Sequence, residues 1–357
     1  MIAEFLPSRL PIIQAPMAGS QGVELCAAVC EAGALGSLPT AMLKPSELRD
    51  QIAEIRRRTP APFNVNFFCH VPPRPDAERQ KRWLAELAPD YAGAALDPPA
   101  GGSGPSPAAF DSARAEIIEE AKPPVVSFHF GLPGESLLER VKQSGAKIYS
   151  SATTRAEAEW LEGRGVDAII AQGAEAGGHR GMFLTEDIGG QPGLFALLPQ
   201  IVDAVRVPVI AAGGIADGRG IAAAFALGAS AVQIGTAYLS TPQSTISAIH
   251  REALRRAKDD STRLTNLFTG RPARAILNRF MREHGPMNKL APQFPLAGGA
   301  IAPLRAFEEK RGSGDYSPLW AGQAAALARE EDACQLTTRL WSEARAVFAA
   351  VRPTLAL

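Results

Sequence analysis

Eight short apolar runs, each followed by turn residues, recur through the first two thirds of this 357-residue chain. They occupy 11–14, 34–37, 63–67, 125–128, 147–150, 168–171, 209–212 and 231–234. Runs this continuously apolar suit strands of a parallel sheet covered on both faces. Segments with helical spacing separate most of them, at 23–32, 46–57, 135–144, 155–163, 194–205 and 220–227. Gly33, Gly145, Gly165 and Gly228 stand where a helix hands over to the next strand, as C-cap glycines do. Eight strands alternating with helices predict an α/β fold of the (β/α)8 barrel type, with a doubly wound open sheet as runner-up.

Two stretches break the rhythm. Residues 72–110 are rich in proline and include Gly101-Gly102-Ser103-Gly104-Pro105; they read as a long loop with one helix, 77–87, over the mouth or flank of the barrel. Residues 243–315 show no convincing strand, helical stretches near 249–258 and 274–282, and then a Pro/Gly-rich region. The expected organisation is a barrel over 1–242, a smaller, mainly helical domain over 243–315 on the substrate side, and a helical segment, 316–357, that completes the barrel. A chain of this length exceeds the size at which a single core stops growing, which agrees with two units.

Bulk properties exclude several classes of function. Lys plus Arg and Asp plus Glu both number 37, so the net charge is zero and the electrostatic footprint of a nucleic-acid binder is missing. Cys26, Cys30, Cys69 and Cys334 form no CxxC pair and no Cys/His cluster of metal-ligand spacing, so neither a metal nor a disulfide scaffold is expected. Cys26 and Cys30 lie one helical turn apart on an apolar face and read as a packed, reduced pair. The first residues lack a basic segment ahead of an apolar run, and their hydrophobic piece is too short to span a membrane; a cytoplasmic protein is the expectation.

In a barrel of this kind the loops after the strands build the site. The most informative is Gln172-Gly173-Ala174-Glu175-Ala176-Gly177-Gly178-His179-Arg180-Gly181, where glycines that admit close backbone approach surround one imidazole able to move protons near neutral pH. Gly213-Gly214 after the seventh run and Gly235-Thr236 after the eighth stand where barrels bind phosphate, with a helix starting near Asp217 supplying an N-terminus. No Walker or Rossmann glycine pattern is present. His129 and His70 end apolar strands and carry a weaker claim. His250 and His284 fall in helical segments and read as solvated.

These segments, with Pro11-Ile12-Ile13-Gln14-Ala15-Pro16-Met17-Ala18-Gly19, Asn64-Val65-Asn66-Phe67-Phe68, Ser127-Phe128-His129-Phe130-Gly131-Leu132-Pro133, Thr269-Gly270-Arg271-Pro272-Ala273-Arg274 and Trp320-Ala321-Gly322-Gln323, resemble the nitronate monooxygenases, formerly called 2-nitropropane dioxygenases. The resemblance runs from the first strand to about residue 325. It implies a flavin barrel in which FMN touches Met17, Gly19, Asn66, Gln172, Gly177 and Gly178, with its phosphate against Gly213, Gly214, Gln233, Ile234, Gly235 and Thr236. His179 corresponds to the catalytic histidine, and His129 and Tyr316 are substrate-side candidates. The chain departs from the family at Gln21-Gly22-Val23-Glu24 and through 72–110. The implied reaction oxidises a small alkyl nitronate, such as propionate 3-nitronate, with O2 to a carbonyl compound and nitrite. His179 would either take the α-proton of a neutral nitroalkane or, as imidazolium, stabilise nitro-group charge. The partners would be the nitronate and O2, with no nucleic acid and no membrane; a homodimer is left open. The nearest rival is an NAD(P)H-dependent flavin reductase of a quinone or enoyl thioester on the same scaffold, and a more distant one is a flavin-free barrel.

Overall fold

The computed structural model describes residues 5–74, 76–99 and 106–354. All eight apolar runs are strands: β1 (Ile12–Gln14), β2 (Gly36–Pro39), β3 (Phe63–Phe68), β4 (Val125–His129), β5 (Lys147–Ala152), β6 (Ala168–Gln172), β8 (Val209–Ala212) and β9 (Ala231–Ile234), with a two-residue strand β7 (Gly178–His179) between the sixth and seventh. The eight pair in parallel in the order β1-β9-β8-β6-β5-β4-β3-β2. Leu35 closes the ring: its amide donates to the Ile12 carbonyl at 2.9 Å, and its own carbonyl accepts from the Gln14 amide at 2.9 Å. The fold is therefore a (β/α)8 barrel, not an open sheet. The helices Val23–Glu31, Pro45–Arg58, Glu135–Gln143, Arg155–Glu162, Leu194–Val202 and Gly218–Ala226 fall close to the expected spans. Gly33, Gly145, Gly165 and Gly228 all take the left-handed conformation that ends a helix.

The period-2 alternation of the strands divides the barrel interior into two halves. At the N-terminal end the inward residues Ile13, Val125, Tyr149, Ala168, Ile210 and Ala231 form an apolar cluster, plugged by Phe5 and Leu6. Towards the C-terminal end the inward side turns polar, with Asn66, Ser127, Ser151, Gln172 and Gln233. Asn64 ties this layer together, donating to Ser37 Oγ at 3.0 Å and Ser127 Oγ at 2.9 Å. The sequence of each strand thus seals one mouth and leaves a polar floor under the other. Outward residues such as Val65, Val126, Ile148 and Ile169 pack beneath the helices. Cys26 and Cys30 are buried in this layer and form no disulfide.

The expectation that 243–315 holds no strand is corrected. β10 (Thr262–Thr265) and β11 (Ala273–Ile276) pair antiparallel, and β11 pairs in turn with β7, so that Ala273 faces His179. The helix expected at 274–282 is limited to Arg279–Glu283, because Asn278 starts it by accepting from the Met281 amide at 3.2 Å. Two further helices, Ala248–Arg255 and Ala302–Lys310, complete this part.

The insertion also differs from the reading of a loop with one helix. It carries two helices, Ala77–Glu86 and Ala88–Ala94, whose Trp83, Leu87 and Tyr91 share a second core with Leu267, Phe268 and Phe280. The glycine run 101–104 lies outside the described residues. Of 316–357, only Ala333–Thr354 is a long helix; Pro318 and Gly322 keep the stretch before it irregular. Ala333, Leu336, Leu340 and Ala344 of that helix pack into the barrel's outer core. Among the described residues, no helix is long and apolar enough to cross a membrane.

Candidate active site

A cavity of about 700 Å³ opens at the polar end of the barrel. Met17, Gly19, Asn66, Gln172, Gly177 and Gly178 line it, as do Gly213, Gly214, Gln233, Gly235 and Thr236. His129, His179 and Tyr316 border the same space. Ile234 is the exception: its side chain is buried in the outer core, because neighbouring strand residues face opposite ways. The barrel thus gathers residues that are more than 200 positions apart in sequence around one space.

The shape of the wall follows from glycine. A Cβ on Gly177 would lie 2.5 Å from the Gly322 amide nitrogen, so the Trp320–Gln323 segment can pass over the loop only because no side chain is there. Gly213 has φ +117°, and a Cβ on it would meet the Ala176 nitrogen at 3.1 Å. Thr236 Oγ1 accepts from the Gly322 amide at 2.9 Å, which fixes the segment from the other side. The helix N-terminus expected near Asp217 is not free for an anion. The Asp217 carboxylate accepts from the amides of Arg219 and Gly220 at 2.9 and 3.2 Å, and Glu343 takes the Gly218 amide at 3.1 Å. An anion here would depend on the loop amides around Gly213–Gly214 and Gly235–Thr236. Gln233 Oε1 is buried without a partner in the wall, an acceptor suited to a hydroxyl of a bound molecule.

His179 is held by its strand and by its ring. Its carbonyl accepts from Gln172 Nε2 at 3.0 Å and faces His129 Nε2 at 3.2 Å, while Gln172 Oε1 accepts from the Gly181 amide at 2.8 Å. Both ends of the Gln172 amide are therefore engaged in shaping the loop. His129 is committed in the same way, since its Nδ1 pairs with Ser151 Oγ at 3.0 Å. The His179 ring lies among Phe68, Phe130, Phe294 and Trp320, with centroids 5.3 to 6.2 Å away. Nε2 pairs with Thr269 Oγ1 at 3.0 Å. Thr269 Oγ1 also has the Arg271 carbonyl and amide at 3.4 Å; the tautomer that carries its proton on Nε2, donated to Thr269, is the one that leaves Nδ1 free to accept. Burial, then the neighbouring His129, Arg271 and His70, pull the pKa of His179 down to about 3. The ring is therefore neutral at physiological pH, the form that can accept a proton rather than a standing imidazolium, and the same burial lowers its proton affinity.

Two arginines that lie behind the wall of this site, outside the cavity lining, were not singled out from sequence. Arg180 is fully buried; it donates to the carbonyls of Gly173 and Gln172 at 2.5 and 2.8 Å and to Gln191 Oε1 at 2.9 Å. Arg271 lies with its guanidinium carbon 4.0 Å from the centroid of Phe130, and its Nε is buried without a partner. Burial lowers the pKa of both to about 10, leaving each charged. Their sequence signal was the charged residue directly beside a glycine or proline turn, a pattern equally common on surfaces. The expectation that His250 and His284 are solvated is corrected: His250 is buried, borders the cavity and pairs through Nε2 with the Trp320 carbonyl at 3.1 Å, while His284 is held between Asp90 and Glu86 at 2.9 and 3.3 Å; His70 is buried as well.

The polar barrel mouth thus brings a neutral histidine and two glycine turns into one cavity wall, and among the described residues no cluster of His, Cys, Asp or Glu is arranged to hold a metal ion. Comparisons with known proteins give the family. The nitronate monooxygenase family model matches residues 1–343. A nitronate monooxygenase of Paraburkholderia phytofirmans is 43% identical over 335 residues, covering 93% of this chain and 92% of that protein. A nitroalkane oxidase from Streptomyces ansochromogenes, known from crystal structures, superposes with a TM-score of 0.87 at 40% identity, covering 98% of this chain and 99% of the other. FabK from Thermotoga maritima superposes less closely, with a TM-score of 0.73 at 28% identity over 99% and 98% of the two chains. The chain belongs to the nitronate monooxygenase family and is an enzyme, an oxidoreductase.

Proposed function

We propose that the protein is an FMN-dependent enzyme that oxidises small alkyl nitronates with O2 to a carbonyl compound and nitrite. The observation that carries the reading is the placing of the neutral His179 ring in the same cavity wall as the glycine turns at 213–214 and 235–236. Family membership supports the reaction, and the donor set suits the cofactor. Loop amides would meet the phosphate, the unpartnered Gln233 Oε1 a ribityl hydroxyl, and the bare backbone of Gly177–Gly178 the flat ring. When bound, FMN supplies the electron acceptor and the route to O2.

The chain's own residues supply position and proton control. His179 Nδ1 takes the α-proton of a neutral nitroalkane, while Thr269 holds the opposite nitrogen as N–H. Phe68, Phe130, Phe294 and Trp320 keep water from the ring and hold the imidazole basic site in place. A nitronate already carries its charge and needs no base, so it enters the reaction one step later. His129, with both ring nitrogens engaged, acts on the backbone of His179 rather than on the substrate.

The test is anaerobic mixing of the purified yellow protein with each reductant in turn. Bleaching of the flavin by ethylnitronate, with none by NADH or NADPH, is the expected result. Bleaching by NADH alone would make the protein a flavin reductase, and a colourless protein that takes up no FMN would overturn the cofactor as well.

A further inference from the structure

His250 is a second imidazole in the wall of the main cavity, and no step of the proposed reaction uses it. It stands in the helix Ala248–Arg255, which Ser247 starts by accepting from the His250 amide at 3.2 Å. Burial lowers its pKa to about 4, so the ring is neutral and carries one proton. That proton lies on Nε2, because the partner of Nε2, 3.1 Å away, is the Trp320 carbonyl, and a carbonyl can only accept.

The helix is bolted to the turn that follows β9. Arg251, the next residue, donates to the carbonyls of Ser240 and Thr241 at 3.1 Å each and to Ser244 Oγ at 3.1 Å. Ser240 directly follows the short helix Thr236–Leu239. On its other side His250 secures a stretch that has little regular structure of its own. Trp320 makes one isolated bridge to Ala275, and Ala321 donates to the Arg274 carbonyl at 3.3 Å. Side chains supply the rest of the hold: His250 at the Trp320 carbonyl and Thr236 at the Gly322 amide. The indole carried by this clamped backbone packs against the His179 ring at 5.4 Å between centroids, and edge-on against Phe268 at 5.7 Å.

We propose that His250 is a positioning residue for the proton-transfer step: by fixing the Trp320 carbonyl it sets the indole against His179, and so couples the placing of the base to the Gly235–Thr236 turn. The inference rests on the reading of His179 as the base toward neutral nitroalkanes, so its test has an arm that needs no turnover.

The first arm compares neutral nitroethane with ethylnitronate as the ratio of their kcat/KM values, since only the neutral form needs the base. His250→Leu, which cannot donate, lowers the ratio about tenfold, a fraction of the roughly 10²-fold that a 1 Å misplacement can cost. His250→Gln, whose amide nitrogen reaches about as far as Nε2, restores it. Trp320→Ala lowers the ratio as well, and His250→Leu adds nothing on top of it, because the histidine acts through the indole. An unmoved ratio in His250→Leu, no recovery in His250→Gln, or a further fall in the double variant overturns the assignment. His250→Asn, with an amide too short to reach the carbonyl, takes the place of His250→Leu if that variant does not fold.

The second arm follows the His179 ring by NMR in protein labelled with carbon-13 histidine. The chain has five histidines, so the His179 signal is identified by its loss in His179→Asn. The ring current of Trp320 shifts that signal, and Trp320→Ala shows by how much. His250→Leu moves it toward its Trp320→Ala position, and His250→Gln brings it back. A signal that keeps its wild-type position in His250→Leu overturns the proposal. Where the expected shifts are seen while neither substrate is turned over, the positioning stands and the proposed reaction alone has failed.

Discussion

His179 works through what its neighbours leave free. Thr269 takes one ring nitrogen, four aromatic rings surround the imidazole, and Nδ1 has no hydrogen-bond partner among the described residues. His179→Asn is expected to retain the flavin absorbance band while turnover of neutral nitroalkanes falls by about 10²–10⁴-fold, the usual worth of general-base help. Oxidation of preformed nitronates should fall far less, and steady-state rates on the two substrate forms measure the split. Equal losses on both would mean that the ring binds substrate instead of moving its proton. Much of this site was legible because its residues follow strands at glycine turns. The engagement of Gln172 and His129 with the backbone was not legible, since nothing in a sequence says which way an amide or imidazole turns. Nor was the use of the N-terminus after Asp217: the same residue that signals a helix start also satisfies it.

At the scale of elements, the decisive unit is the two-residue strand β7. It pairs with β11, and the Arg180 amide continues the contact by donating to the Pro272 carbonyl at 2.9 Å. Arg180 then folds its side chain back onto Gln172 and Gly173, closing the loop on itself. Arg180→Met keeps the length but leaves two buried carbonyls and Gln191 without their charged donor. A loss on the order of 3 kcal/mol follows, from hydrogen bonds to a charged group worth about 1.5–3 kcal/mol each, and a urea-denaturation midpoint measures it. The variant should also bind FMN more weakly, because the glycine loop loses its brace; a midpoint within error of the wild type would contradict this. The barrel strands were readable because burial on both faces writes a continuous apolar run. β10 and β11 were not, since Thr262-Arg263-Leu264-Thr265 and Ala273-Arg274-Ala275-Ile276 are short and carry residues equally at home in helices. The strand form of β11 comes from pairing with β7, almost 100 residues away, and β10 follows by pairing with β11, a tertiary effect that overrides local preference.

For the whole molecule, buried histidines tie stability to acidity. Burial first of all holds His129 and His179 down to about 3 and His70 and His250 to about 4. An unfolded chain would protonate them near pH 6.5. Between that pH and the folded values the unfolded state binds protons that the native state refuses, so stability is full above about pH 6.5 and declines as the pH falls. The slope is at most about 1.4 kcal/mol per histidine per pH unit. Denaturation midpoints from pH 7 to 5 should show the decline, and His70→Leu, which removes a ring whose buried Nδ1 has no partner, should make it shallower. A midpoint that stays level over this range would show that these rings are already protonated in the fold. The closure of the barrel has a consequence of its own. Seven of the eight seams are laced by paired strands, whereas the eighth is closed by a single bridge at Leu35 with help from the Gln14 side chain, which accepts from the Ser37 amide at 3.1 Å, and the residues immediately after β1, Ala15 to Gly19, form the rim of the cavity. The stitch that closes the ring and the lip of the cavity are thus one continuous stretch of chain, so that any disturbance of the closure falls first on the entrance.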